Sequence, residues 1–154
     1  SSARETANWV VGGSVAQKVL DTFDIEISSY VSQVGELKMP STTLFFEEQA
    51  IDANLVRCPD EKLALSMLEI ISQYKEKGDS LGGKISVVIK NSIVGLGRPV
   101  FSKLNADLSQ ALFSINAVKA VEIGIGVNSA SLSGAEQNDA FENSKAKRTI
   151  KPLN

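Results

Sequence analysis

The chain has 154 residues, of which 43% are hydrophobic and 22% charged, and its 16 basic and 18 acidic side chains give a net charge of −2. That length suits one domain with a sizeable core, and the near-neutral balance argues against a broad nucleic-acid or membrane-surface footprint. Histidine is absent, which removes the usual zinc-ligand sets, a Ser-His-Asp triad and the commonest acid/base near neutral pH. A single cysteine, Cys58, excludes an internal disulfide. No apolar run reaches membrane-spanning length, and the first residues lack the layout of a signal peptide.

In chain order, Ser2-Ala3-Arg4-Glu5 has the S-x-x-E spacing of a capping box, which predicts Ser2 as the cap of a helix running from Ala3 to about Leu20. Arg4 sits oddly there, a cation at the positive end of the helix dipole unless an anion joins it. Gly12-Gly13 inside that helix predicts close packing against a neighbour, since each glycine costs about 1 kcal/mol relative to alanine. Alternation at Phe23, Ile25 and Ile27 predicts a strand ending near Gly35, and "TTLFFEE" reads as a second short strand.

Pro59-Asp60 opens the clearest helix, with Leu63, Met67, Ile70, Ile71 and Tyr74 on one face and Gly78 as its stop. The glycine-rich "GDSLGG" precedes an apolar run, Ile85 to Ile89, that reads as a strand covered on both faces. "GLGRPVFSKLNADLSQALFSI" predicts a loop and then a helix with Phe101, Leu104, Leu108, Ala111 and Leu112 inward. "VEIGIGV" alternates as a further strand, so strand, helix and strand form a crossover that is right-handed if the strands are parallel. The remainder, residues 140–154, is polar and without periodicity, and reads as a tail or a joined C-terminal piece.

Several segments in order resemble chorismate synthase. They are the opening "SSARETA", "VRCPD" from Val56 to Asp60, "GDSLGG" from Gly78 to Gly83, the long run from Gly95 to Gly124, and "GAEQND" from Gly134 to Asp139. The resemblance covers residues 1–139, the central part of a much longer family chain. The family's catalytic histidines belong to stretches outside it, and "TIKPLN" is similar to a later K-P-T motif. The sequence therefore reads either as a fragment or as pieces joined across gaps.

The resemblance implies an α/β (α+β) sandwich with helices packed on a mixed sheet, assembled as a homotetramer in the cytoplasm or a plastid. It also implies conversion of 5-enolpyruvylshikimate 3-phosphate to chorismate and phosphate by 1,4-elimination, with reduced FMN as cofactor. The alternative is a truncated, inactive relative that serves as a binding or structural module. By the same resemblance Ser2 and Arg4 meet the substrate, and Ser1, Ser2, Asn116, Ala117, Lys151 and Pro152 meet the flavin. Read without it, Asn116 is a helix-ending residue, Lys119 a solvated cation and Asp79 a turn residue. Trp9, Ala120 and Ile125 depart from the family, which usually has Arg, Gly and Asp at those places.

Overall fold

The structure, a computed structural model, describes residues 2–40, 44–138, 140–142 and 149–151, with Ser2, Ala3 and the last six described by their backbone alone. The chain divides into two compact units, Asn8–Val94, and Ser1–Ala7 with Gly95–Asn154.

Helix α1 (Ser2–Asp21) and helix α3 (Glu61–Glu76) form where helical periodicity predicts them. Asp60 caps α3 by accepting a hydrogen bond from the Leu63 N–H at 2.9 Å. The helix ends at Gly78, whose φ of +71° lies in the left-handed region open to glycine, and whose N–H is bonded to the Lys75 carbonyl. Strand β1 (Glu26–Val34) is the centre of a three-stranded antiparallel sheet, between β2 (Leu37–Lys38) and β3 (Gly83–Lys90). A bulge at Val31/Gln33 interrupts its pairing with β3, and there Gly83 approaches the Gln33 carbonyl so closely that a Cβ would stand 2.8 Å from it.

The core lies between one face of this sheet and α3. Tyr30, Val34, Met39, Ile51, Val56, Cys58, Ala64 and Met67 are buried together, with Leu63, Ile70 and Val88 packed against them. Ile51 comes from the short helix α2 (Glu48–Ile51). The inward row of β1 is Ser28, Tyr30, Ser32 and Val34, so hydroxyls rather than aliphatics face the core. Every one has a partner, as burial requires. Ser28 Oγ donates to the Phe46 carbonyl at 2.8 Å and accepts from its N–H, while the Tyr30 hydroxyl reaches the Leu44 carbonyl at 3.0 Å. The Tyr30 and Phe46 rings meet edge to face, with centroids 5.0 Å apart. Ser86 Oγ on β3 donates to Ser32 Oγ at 2.8 Å.

Several predicted features come out differently. Ile27 faces outward and Phe23 lies in the turn before β1, so the true alternation starts at Ser28. Leu44 to Glu47 form no strand; their backbone is held by the Ser28 and Tyr30 side chains instead, and Thr42-Thr43 lie outside the described residues. Strand β3 is covered on one face only, and Ile85, Val87 and Ile89 stay exposed on the other. Gly12 and Gly13 meet no neighbour among the described residues, since a Cβ at either would have none of them within 4 Å. Val10, Val11, Val15 and Val19 of α1 are likewise exposed.

In the other unit, α4 (Leu104–Phe113) follows a loop folded against its start, where Gly97 passes the Leu104 backbone so closely that a Cβ would fall 2.5 Å from its nitrogen. Phe101 precedes the helix and is 91% exposed, not inward. The "VEIGIGV" segment pairs with no strand: residues 118–123 have no regular structure, and Gly126–Ser131 is a 3₁₀ turn. The crossover is therefore absent among the described residues, and the sheet is antiparallel throughout. Beyond it come α5 (Gly134–Gln137) and, within the stretch read as a polar tail or a joined C-terminal piece, a two-stranded ribbon of β4 (Ala140–Glu142) and β5 (Thr149–Lys151).

Candidate functional site

The predicted site residues fall mainly in two clusters, the first turn of α1 and the turn after α4, both in the unit formed by Ser1–Ala7 and Gly95–Asn154. At the first, the helix already includes Ser2, so Ser2 is not the cap and Glu5 is one position too late for the expected capping box. Ser1 lies outside the described residues, and Ser2 is described by its backbone alone. The N–H groups of the first turn have no acceptor within the helix, and the dipole adds partial positive charge there. Arg4 is exposed, with no ion pair or hydrogen bond among the described residues. Backbone donors and a guanidinium with no competing partner suit an anion, and phosphate above all.

The second cluster follows the end of α4. The Ser114 hydroxyl donates to the Ala111 carbonyl at 2.6 Å, and Val118 N–H to Ile115 O at 3.3 Å closes a turn around Asn116 and Ala117. Ala117 has a φ of +68°, a left-handed backbone that costs an L-residue about 1–2 kcal/mol and is ordinary for Gly or Asn. Strain of this kind, held by a short closed turn, is a pointer to function. Both residues are exposed, and the Asn116 amide has no hydrogen-bond partner among the described residues. A side-chain amide beside a fixed, strained peptide can address the polar edge of a planar ligand such as a flavin ring, so these residues fit that group.

The other predicted positions are less informative. Lys119 and Ala120 are exposed on the unpaired segment after the turn, and Ile125 is half-buried. Lys151 ends β5 opposite Ala140 and is described by its backbone alone, while Pro152 lies outside the described residues. Asp79 accepts a hydrogen bond from the Ser80 N–H at 2.8 Å, the turn role its spacing predicts, and is among the residues lining an open groove of ≈ 570 Å³ in the Asn8–Val94 unit. Trp9 is 43% exposed, with no ring contact among the described residues. No group of His, Cys, Asp and Glu among the described residues is placed to hold a metal ion.

Two local clamps were not singled out in the sequence. Ser133 caps α5 in a true capping box with Glu136, whose Oε2 accepts from the Ser133 N–H at 2.8 Å and from its hydroxyl at 2.7 Å. The Ser133 hydroxyl, and after it the Ser133 backbone, lower the Glu136 pKa below the ordinary carboxylate value. The signal was there, since "SGAE" repeats the S-x-x-E spacing of the opening stretch. The second clamp is Asn54, whose amide brackets Cys58 by donating to its carbonyl at 2.7 Å and accepting from its N–H at 3.3 Å. Between them Arg57 takes a left-handed backbone with φ +62°, pairs with Asp52 at 2.6 Å and offers its carbonyl to the Val31 N–H of β1. Burial pushes the Cys58 thiol above its ordinary pKa, and the Tyr30 phenol likewise.

The family profile described as chorismate synthase matches residues 1–151. A chorismate synthase of Phocaeicola vulgatus is 45% identical over 147 residues, 96% of this chain and 41% of that protein. One from Prochlorococcus marinus is 44% identical over 154 residues, 99% of this chain and 42% of its own. A crystal structure of chorismate synthase superposes with a TM-score of 0.84 at 33% identity, covering 94% of this chain and 47% of that one. The chain thus spans about two fifths of the length of the curated relatives it matches.

Proposed function

The chain belongs to the chorismate synthase family, and from that premise we propose that it forms part of a lyase acting in the shikimate pathway. The reaction is the 1,4-elimination of phosphate and a hydrogen from 5-enolpyruvylshikimate 3-phosphate to give chorismate. The observation that carries the reading is Arg4, an exposed guanidinium on a helix's first turn with no partner among the described residues, in a segment that resembles the family's substrate contact. Arg4 and the first-turn N–H groups bind the phosphate and steady the charge that grows on it as the C–O bond breaks. Ser2 adds a hydroxyl to the same anion.

Asn116 and Ala117 hold reduced FMN, with Ser1, Ser2, Lys151 and Pro152 completing its surroundings in this proposal. When bound, the flavin supplies electron density that eases departure of phosphate and is recovered as the hydrogen leaves. The chain's own part is to orient: a strained turn fixes the backbone from which the Asn116 amide projects, and a helix end fixes the phosphate. A homotetramer in the cytoplasm, or in a plastid, belongs to the same proposal.

The test is phosphate release from 5-enolpyruvylshikimate 3-phosphate with reduced FMN under anaerobic conditions. We expect Arg4→Ala to weaken substrate binding about 10- to 100-fold, the value of a charge-assisted contact, with the thermal midpoint unchanged because Arg4 supports no described contact. Equal rates for the wild type and Arg4→Ala would overturn the assignment.

The second reading is a folded module without turnover, which rests on the absence of histidine from these 154 residues. It predicts no phosphate release above the flavin-only background, together with retained binding of substrate in calorimetry.

A further inference from the structure

The turn that carries Asn116 and Ala117 is held upstream by the end of α4, where the Val118 N–H closes it on the Ile115 carbonyl. Downstream, Lys119, Ala120 and Val121 make no backbone hydrogen bond to a described residue. No residue from 111 to 132 is buried, so apolar packing does little to hold this stretch and its polar anchors set its path. The next anchor along the chain is Glu122, whose Oε1 accepts a hydrogen bond from the Val127 N–H at 3.3 Å.

The loop that follows is shaped around that carboxylate. The Gly126 N–H donates to the Ile123 carbonyl at 3.1 Å, and the Asn128 N–H to the Ile125 carbonyl at 3.3 Å, so the chain doubles back towards Glu122. Gly126 has a left-handed backbone with φ +57°. A Cβ there would stand 2.8 Å from the Glu122 Cβ and 2.9 Å from its Oε1, closer than atoms can pack. Glycine at this place therefore does two things: it accepts the left-handed conformation, and it leaves the space that the Glu122 side chain fills.

We propose that Glu122 is a positioning residue, which with Gly126 forms a clasp fixing the downstream end of the segment that presents Asn116 and Ala117. The clasp stands on the loop geometry; its bearing on the flavin rests on the reading of Asn116 and Ala117 given above. Glu122 meets no ligand in this scheme. It holds the segment in one path beforehand, and so reduces the ordering that binding would otherwise have to impose.

The test pairs trypsin cleavage with FMN titration in this chain. The Lys119–Ala120 bond lies in the unpaired stretch, and its rate of cleavage reads how often that stretch opens. We expect Glu122→Ala to speed cleavage after Lys119 about 5- to 10-fold, and to weaken FMN binding, followed by flavin fluorescence, by about the same factor, the value of one ordinary hydrogen bond. Glu122→Gln keeps an acceptor oxygen and should restore both. Cleavage unmoved by Glu122→Ala overturns the clasp. Faster cleavage with FMN affinity unchanged, where Asn116→Ala weakens it, overturns the positioning role alone. FMN binding that is absent, or indifferent to Asn116→Ala, means instead that the flavin reading of the turn has failed, and the positioning role falls with it.

Discussion

At the scale of single residues, the fold keeps several side chains in conditions that a measurement can read. Burial raises the pKa of Cys58 above its ordinary value and does the same for Tyr30, where a hydrogen bond with Ser86 partly offsets it. Below the unfolded-state values both groups are protonated whether the chain is folded or not, so stability is unaffected. Above about pH 8.5 the unfolded chain releases the thiol proton that the folded chain keeps, and above about pH 10 the phenol follows. Stability therefore falls as pH rises through this range, and Cys58→Ala should flatten the first part of the decline in urea midpoints taken from pH 7 to 10. Glu136 runs the other way: its lowered pKa gives a contribution present at neutral pH and lost on acidification. Ala117 offers a complementary check. Because its left-handed backbone suits glycine, Ala117→Gly should raise stability by about 1 kcal/mol, read as a higher thermal midpoint.

At the scale of elements, legibility followed the origin of each element's stability. Helix α3 was readable because its cap, its apolar face and its glycine stop all lie within its own sequence. Asp60→Ala should accordingly cost about 1 kcal/mol, with a range of roughly 0.5–2, measured as a shift in urea midpoint. Strand β1 was readable in its position but not in its facing. The inward row is Ser28, Tyr30, Ser32 and Val34, and the hydroxyls are satisfied by backbone groups as distant in sequence as Phe46 and Lys84, which no local pattern announces. The segment Val121 to Val127 has the alternation of a strand but pairs with none among the described residues, since alternation alone forms no sheet without a neighbouring strand. Of the site, the chemical types of Arg4 and Asn116 were legible, but their functional meaning came only from the family's motifs. The left-handed turn at Ala117 and the Arg57 conformation carry no glycine to mark them.

Across the whole molecule, burial is concentrated in the Asn8–Val94 unit, around Tyr30, Cys58 and Met67, each no more than 1% exposed. Truncating Met67 to alanine should cost about 2–5 kcal/mol, a large share of the 5–15 kcal/mol typical of a domain, and should lower the urea midpoint sharply. Helix α4, by contrast, has no buried residue. Lys119, Ala120 and Val121 make no backbone hydrogen bond to a described residue. Native-state hydrogen exchange should therefore be slowest in β1 and α3 and fastest at residues 119–121. Equal protection in both places would mean that the apolar side chains exposed around α4 are covered in solution.

The hydroxyl row of β1 has a consequence for how the chain reaches its fold. A strand's register is ordinarily chosen by its greasy side, and a slip of one residue is punished by turning that side to water. Here the slip would turn Ile27 and Val31 inward but Tyr30 and Val34 outward, so hydrophobic collapse alone separates the two alignments only weakly. The bonds of Ser28 with Phe46, of Tyr30 with Leu44, and of Ser32 with Ser86 and Lys84 add to the burial of Tyr30 and Val34 in selecting the native one. Because part of that selection comes from Phe46, register is completed only after that segment has arrived, and Ser28→Val should weaken the discrimination, read as slower or multiphasic refolding.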